Sequence, residues 1–251
     1  MKRTPALIGS LLLLASYGPA AEPAPTFAVA SVKLSPDGGG TGKISPGRAG
    51  VEMHRVSLAA CILWACSIES YQLRTPQWTT EQLVDISARS GHEATPDELK
   101  RMMQSLLSDR FHLAMREQTE SMSAYALVLG KSGHRMRPSS ADGEEEFQSD
   151  GHFDTVMKRV SMPRLAAVLS HVVDRPVLDE TGLEGSFDFV LKLTAYVPKD
   201  GAGEAASGAE HDIPYMFATA VQDQLGLKLE SRRAVVRVLV VERIERVPSA
   251  N

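Results

Sequence analysis

The chain has little of what usually announces chemistry. Cysteine is scarce: only Cys61 and Cys66 occur in 251 residues. Both fall on one predicted helix, where five positions turn them about 140° apart, too divergent for an unstrained bridge. They read as small buried hydrophobes and not as a redox pair. Metal-ligand patterns are missing too, with no His-Glu-x-x-His and no Cys-x-x-Cys. The histidines at 54, 92, 112, 134, 152, 171 and 211 are scattered, and His152 with Asp154 and His211 with Asp212 come nearest to ligand spacing, each at a loop edge. No metal site and no cofactor is expected. A Gly-x-Ser-x-Gly elbow is also lacking, and neither cysteine has an electropositive setting, so a nucleophilic hydrolase has no sequence support.

Positive charge is not in excess, since the formal net charge is -4. A protein without a basic stripe is a poor candidate for DNA or RNA binding. Long apolar runs are absent after the first residues. At the N-terminus Lys2 and Arg3 precede an apolar run from Ala6 to Ala15, followed by Gly18, Ala20 and Ala21. This is the order of a secretory signal over residues 1–21, with cleavage after Ala20 or Ala21. The run is shorter than the roughly 20 residues that span a bilayer. The expectation is a secreted or periplasmic protein with no transmembrane segment in its mature chain.

What is present is a core and a repeated pattern. Hydrophobic residues make up 43% of the chain, enough to bury a sizeable interior. The stretch from Arg159 to Leu193 is the most legible. Ser161 is placed to cap a helix with Pro163 in its first turn, and Leu165, Val168, Leu169, Val172 and Val173 form one apolar stripe. Pro176 stops the helix, Val177 and Leu178 make a short strand, and Gly182 and Gly185 supply positive φ. Phe187, Phe189, Leu191 and Leu193 then alternate with Asp188 and Lys192 as a strand with one buried face.

A looser copy begins at Arg55-Val56-Ser57-Leu58. Ser57 precedes a helix from Leu58 to about Ile68 that is apolar nearly all round, which predicts burial between its own sheet and a second surface. Leu83–Ala88 reads as a strand, and Thr95-Pro96-Asp97-Glu98 opens a helix whose Leu99, Met102, Met103, Leu106 and Leu107 face a core. Phe111, Leu113 and Met115 alternate, and a polar turn at Thr119–Ser121 is expected to separate them from a strand at Tyr125–Leu129. Gly38–Gly40 make a loop. Pro198–Asp212 make a second one, after which Asp212 is placed to cap a helix bearing Phe217, Ala220, Val221 and Leu225, closed by Gly226. Leu227 and Leu229 begin a strand, Ser231–Arg233 turn it, and Val235–Val241 should be a central strand covered on both faces.

The expected fold class is therefore α+β, with two similar lobes of order β-α-β-β-α-β-β. The first spans 26–137, the second 153–247, and the Ser, Asp and Gly-rich stretch 138–152 with Glu144–Glu146 is an acidic linker.

Phe27-Ala-Val-Ala-Ser-Val-Lys33, Pro76-x-Trp78, Leu106-Leu-Ser-Asp-Arg-Phe111, Arg175-Pro-Val-Leu-Asp-Glu-Thr-Gly-Leu183 with Gly185-x-Phe187-Asp188-Phe189, and Gln224-Leu-Gly-Leu-Lys-Leu229 together carry a likeness. The sequence resembles a family of exported proteins abundant in soil Acidobacteria, the soil-associated TIGR-type family or domain of unknown function 3738. The resemblance covers nearly the whole mature chain and implies no particular reaction; similar domains joined to membrane metallopeptidases imply a sensing role. Each half is also similar in element order to the secretin and TonB short N-terminal module, which implies a periplasmic docking surface.

Two functional readings result. The favoured one is a non-catalytic periplasmic binding, docking or sensing module whose partner is an envelope protein or peptide, with exposed strand edges offered to it. Tyr71 and Trp78 are the candidate partner contacts. The alternative is an envelope-directed hydrolase using carboxylates near Asp179 and Asp188. Against that, Asp179 is placed to bond the backbone of Thr181 and Gly182, so Asp179, Thr181, Gly182, Gly185 and Asp188 read as a structural turn signature.

Overall fold

Capping residues and apolar periodicity fix the helices, and the strands fill the spaces between them. The structure, a computed structural model, describes residues 24–36, 42–139, 143–149, 154–196 and 213–249. The expected leader, the Gly38–Gly40 loop, and Pro198–Asp212 with the Asp212 cap lie outside the described residues, as do His152 and His211.

The first half runs β1 (Val29–Leu34), β2 (Lys43–Gly47), β3 (Gly50–Ser57), α1 (Leu58–Cys66), a 3-10 turn at Ser70–Gln72, β4 (Leu73–Arg74), α2 (Trp78–Glu81), β5 (Leu83–Arg89), α3 (Pro96–Phe111) and β6 (Ala114–Leu129). The second runs β7 (Arg137–Pro138), β8 (Glu146–Ser149), β9 (Thr155–Ser161), α4 (Met162–Val173), β10 (Val177–Asp179), β11 (Ser186–Leu191), a 3-10 turn at Leu193–Tyr196, α5 (Ile213–Ala220) running into a π-turn at Val221–Leu225, and β12 (Leu227–Arg243). The fold is α+β. Part of the expected acidic linker is strand β8, which pairs with β9.

Among the described residues the strands form three four-stranded sheets, ordered β1-β5-β3-β2, β10-β6-β12-β4 and β7-β11-β9-β8. The outer two have the same order once each strand is matched to its counterpart in the other half. The middle sheet reads the same from either end under that match. The correspondence reaches single hydrogen bonds. In β3, Arg55 sits at φ 54 and its N–H donates to the Asp85 carboxylate of β5 at 2.9 Å; in β9, Arg159 sits at φ 56 and its N–H donates to Asp188 of β11 at 2.8 Å. A register irregularity marks the same place in both outer sheets.

Each half has its own core. In the first, Val51, Met53 and Val56 of β3 meet Leu58, Cys61 and Ile62 of α1, Val84 and Ile86 of β5, and Met103, Leu107 and Phe111 of α3. In the second, Met157 and Val160 of β9 meet Leu165 and Leu169 of α4, Phe187 and Leu191 of β11, and Met216, Val221 and Leu225 of the last helix. Burial holds the Cys61 thiol up at about 12 and raises that of Cys66. Both are free, and Cys61 Sγ lies 3.6 Å from Met53 Sδ. The surface packed beside α1 is α3, with α2, of the same half; toward the other half Leu63 and Trp64 line an open crevice with His171 of α4 and its C-cap Asp174.

Four expectations are corrected. Thr119–Ser121 does not turn the chain and neither does Ser231–Arg233: β6 and β12 are each unbroken and pair antiparallel throughout, from Leu227 against Leu129 to Arg243 against Ala114. Both polar stretches cross the interval between the two cores, where a strand needs no apolar face. Val235–Val241 is central in its sheet but not covered on both faces, because Val235 lies in that interval and is 74% exposed. Ser161, expected as a cap, makes no side-chain capping bond to α4, whereas Ser57 accepts from Ala60 N–H at 3.2 Å and Thr95 from Glu98 N–H at 3.2 Å.

Candidate functional site: an open edge on the central ribbon

The β6–β12 ribbon joins the halves, and its backbone orientation follows from three contacts. Tyr125 N–H donates to Pro176 O at 2.8 Å, Glu180 N–H donates to Leu127 O at 2.9 Å, and Gln72 Nε2 donates to Arg237 O at 3.2 Å. Tyr125 and Leu127 thus turn their backbone groups out from β6, and Arg237 from β12. Successive residues of a strand alternate in direction, so Thr119, Ser121 and Ser123 face outward on β6, and Leu229, Ser231, Arg233 and Val235 on β12. The register agrees, because Ser121 lies opposite Val235, Ser123 opposite Arg233 and Tyr125 opposite Ser231.

Neighbouring strands cover only the ribbon's ends. β10 pairs parallel with β6 at Tyr125–Leu127, and β4 pairs parallel with β12 at Leu239–Val240. Between them the edges are open. On β6 the carbonyl of Ser121 accepts from Arg233 Nη2 at 3.0 Å, and on β12 the Ser231 carbonyl accepts from Arg232 Nη1 at 3.2 Å. Among the described residues the N–H groups of Ser231, Arg233 and Val235 and the carbonyls of Arg233 and Val235 have no hydrogen-bond partner, and all three residues are exposed. An unpaired, exposed strand edge is a template for another extended chain.

The edge starts beside a cavity of about 600 Å³ between the β6–β7 loop and the π-turn, lined by Lys131, Arg135, Asp223, Lys228 and Glu230 among others. Two glycines shape it. Gly226 ends the π-turn at φ 73, and a Cβ there would lie 2.2 Å from Gly133 O. Gly130 N–H donates to Gly226 O at 2.9 Å, so loop and π-turn are clamped backbone to backbone. Arg135 donates to the main-chain carbonyl of Asp223. Hydrogen bonding from Lys228, with its charge next, holds the Glu230 carboxyl below its ordinary range.

The residues singled out from the sequence are not gathered in one place. Tyr71 is half-buried against α4 with Ser170 as its hydrogen-bond partner; burial, the largest cause, raises its phenol. Its neighbours tie the halves together, Glu69 to His171 at 2.8 Å and Ser70 to Asp174. Trp78 packs on the first core beneath the Arg246 guanidinium, which stands 4.9 Å from its ring centroid. Asp179 accepts from Thr181 N–H at 3.0 Å and from its hydroxyl at 2.8 Å, and the Thr181 hydroxyl accepts from Leu183 N–H at 3.2 Å; Gly182 and Gly185 take positive φ. Asp188 is engaged by Arg159 N–H in a different sheet from Asp179. The cavity of about 440 Å³ that Asp188 lines does not include Asp179.

Residue patterning alone does not reveal the ribbon edge, because a polar stretch in mid-strand has the composition of a turn. The signal available is pairwise: two polar stretches, each placed between apolar runs of alternating pattern, suit two strands that cross the same gap. No helix among the described residues is long and apolar enough to cross a membrane.

Neither a curated protein nor a solved structure matches this chain. A family model does, and the matched residues, 59–244, run from the first turn of α1 past the end of β12, so that the whole ribbon, the second core and the part of the first core from Ala59 onward fall within it: the chain belongs to the protein family of unknown function DUF3738.

Proposed function

We propose that the protein is an exported, non-catalytic docking module of the cell envelope, built as two copies of one α+β unit, which captures a partner segment as an added strand along the open edge of β12. The observation that carries this reading is the row of unpaired outward backbone groups from Ser231 to Val235. Main-chain pairing gives such a site affinity, and the flanking side chains give it selectivity. The leader-like pattern of residues 1–21 supports export, and the resemblance in element order that the sequence suggests to secretin and TonB short N-terminal modules supports docking. Tyr71 sits beside Gln72, whose side chain closes the edge at Arg237. Trp78, under Arg246, would contact a partner only if that cation moved aside.

The test is a displayed library of extended peptides panned on the purified mature protein, followed by amide exchange. The expected result is that enriched peptides slow exchange at Ser231, Arg233 and Val235, and that Val235→Pro abolishes capture without lowering the melting temperature. Enriched peptides that leave those amides exchanging freely, or turnover of a cell-wall polymer by the purified protein, would overturn the reading.

A further inference from the structure

The β12 edge has a sign. Between Leu227 and Val238 it carries Lys228, Arg232, Arg233 and Arg237 against Glu230, on a chain whose net charge is -4. The stretch of β6 paired with it, Gln118–Leu129, carries one charge, that of Glu120. The two edges of one ribbon are therefore of opposite character. Several β12 cations are only partly matched: Arg233 is bonded to the uncharged Ser121, and Arg232 shares Glu230 at 3.2 Å with Lys228 and stands 3.8 Å from Glu180 in a half-exposed pair. Arg237 meets Glu117 at 3.2 Å, in a pair whose two side chains are both mostly exposed and so weakly held. The cavity at the start of the edge adds Arg135, bonded to a carbonyl, and Lys131, which makes no ion pair among the described residues, beside the carboxylates of Asp223 and Glu230. Arg135 also lines an adjoining cavity of about 440 Å³ with Arg137, Lys158 and Asp188.

We infer that the strand taken up by β12 is acidic, with a pattern set by this edge; the inference rests on the docking reading above. Arg233, Val235 and Arg237 project to one face at successive alternate positions, and Lys228, Glu230 and Arg232 to the other. An added strand places its own alternate side chains beside them. On the first face the complementary order is acidic, apolar, acidic, with the apolar residue over the exposed Val235. Toward the Lys228 end a further carboxylate reaches the cavity lined by Lys131 and Arg135. Charge of this kind steers encounter and selects partners more than it adds affinity, so discrimination between peptides is the property to measure.

The experiment uses the mature full chain and three labelled synthetic peptides. One has glutamates flanking a central valine at alternate positions, one has lysines in their place, and one is the glutamate peptide with its backbone N-methylated on the pairing side. Affinity is read by fluorescence anisotropy at two salt concentrations, contact by amide exchange, and self-association by sedimentation. The expected result is at least about tenfold preference for the glutamate peptide over the lysine peptide, diminished by salt. Slowed exchange at Ser231–Val235, loss of binding on N-methylation, and a weakened preference in Arg233→Gln that reverses in Arg233→Glu should accompany it. Equal binding of both charge forms with those amides protected would overturn the acidic assignment and leave docking intact. Preferential binding with those amides unprotected, or unaffected by N-methylation, would overturn the docking reading instead. Sedimentation as a dimer with the same amides protected in the absence of peptide would make a second copy the occupant and overturn the inference.

Discussion

Asp188 holds the backbone N–H of Arg159 at 2.8 Å, and thereby fixes a non-glycine residue at positive φ in the middle of a sheet. Asp85 does the same for Arg55 in the other half. A hydrogen bond to a charged acceptor contributes about 1.5–3 kcal/mol, and partial exposure puts these two at the lower end. Asp188→Ala and Asp85→Ala should each lower unfolding free energy by about 1–2 kcal/mol in urea titrations.

The acid limb of stability should report Asp85. The Arg55 N–H, the strongest influence on it, holds its carboxyl below the ordinary 3.8. A group depressed on folding contributes stability above its unfolded pKa and loses it as pH falls through the folded one. Melting temperatures recorded from about pH 6 down to about pH 2 should therefore fall less steeply in Asp85→Asn than in the parent.

The two arginines differ where their amides agree. Arg159 donates from its guanidinium to Glu144 O and Glu146, while Arg55 leaves Nε and Nη2 buried without a partner among the described residues. Glycine relieves about 1–2 kcal/mol of left-handed strain at either site and costs about 0.5–1 kcal/mol of backbone entropy. Arg55→Gly should be neutral or stabilising, and Arg159→Gly about 1 kcal/mol less stable than Arg55→Gly.

A similar contrast holds for the serine caps. Ser57 bonds Ala60 N–H, and Ser161 makes no such bond to its helix. Ser57→Ala should cost about 1 kcal/mol and Ser161→Ala a few tenths, measured by thermal melting.

Proline scanning distinguishes the two sides of β12. Ala234 sits opposite Met122 with its N–H turned into the ladder, whereas Val235 turns its N–H outward. Ala234→Pro should cost about 3 kcal/mol or more, and Val235→Pro much less, because proline suits an open edge.

The elements with local physical signatures are legible in the sequence. Thr95 with Pro96 and Glu98 announces α3 to the residue, and Asp179 with Thr181 announces its turn. The α+β class follows from the same signals; the expected order β-α-β-β-α-β-β does not, since three strands precede α1. The fold's long-range half is not legible. Polar residues such as Ser121 and Arg233 in mid-strand resemble a turn until it is known that two cores lie on either side of them. Ser161 has the right residue type for a cap, but its side-chain orientation is settled by tertiary packing. The candidate site lies in that illegible part, since an unpaired edge is defined by which strands fail to reach it.

β12 is the last strand in the described chain, yet Leu239 and Val241 lie against the first core while Leu227 lies in the second. During synthesis, then, neither half can complete its packing until β12 has emerged, and early-made β6 waits with one flank bare for a mate from far along the polypeptide. Folding of this kind is set by a late long-range closure, slow for its size and vulnerable to strays in the interim. A chain cut short inside β12 would unmake both ends of the molecule together.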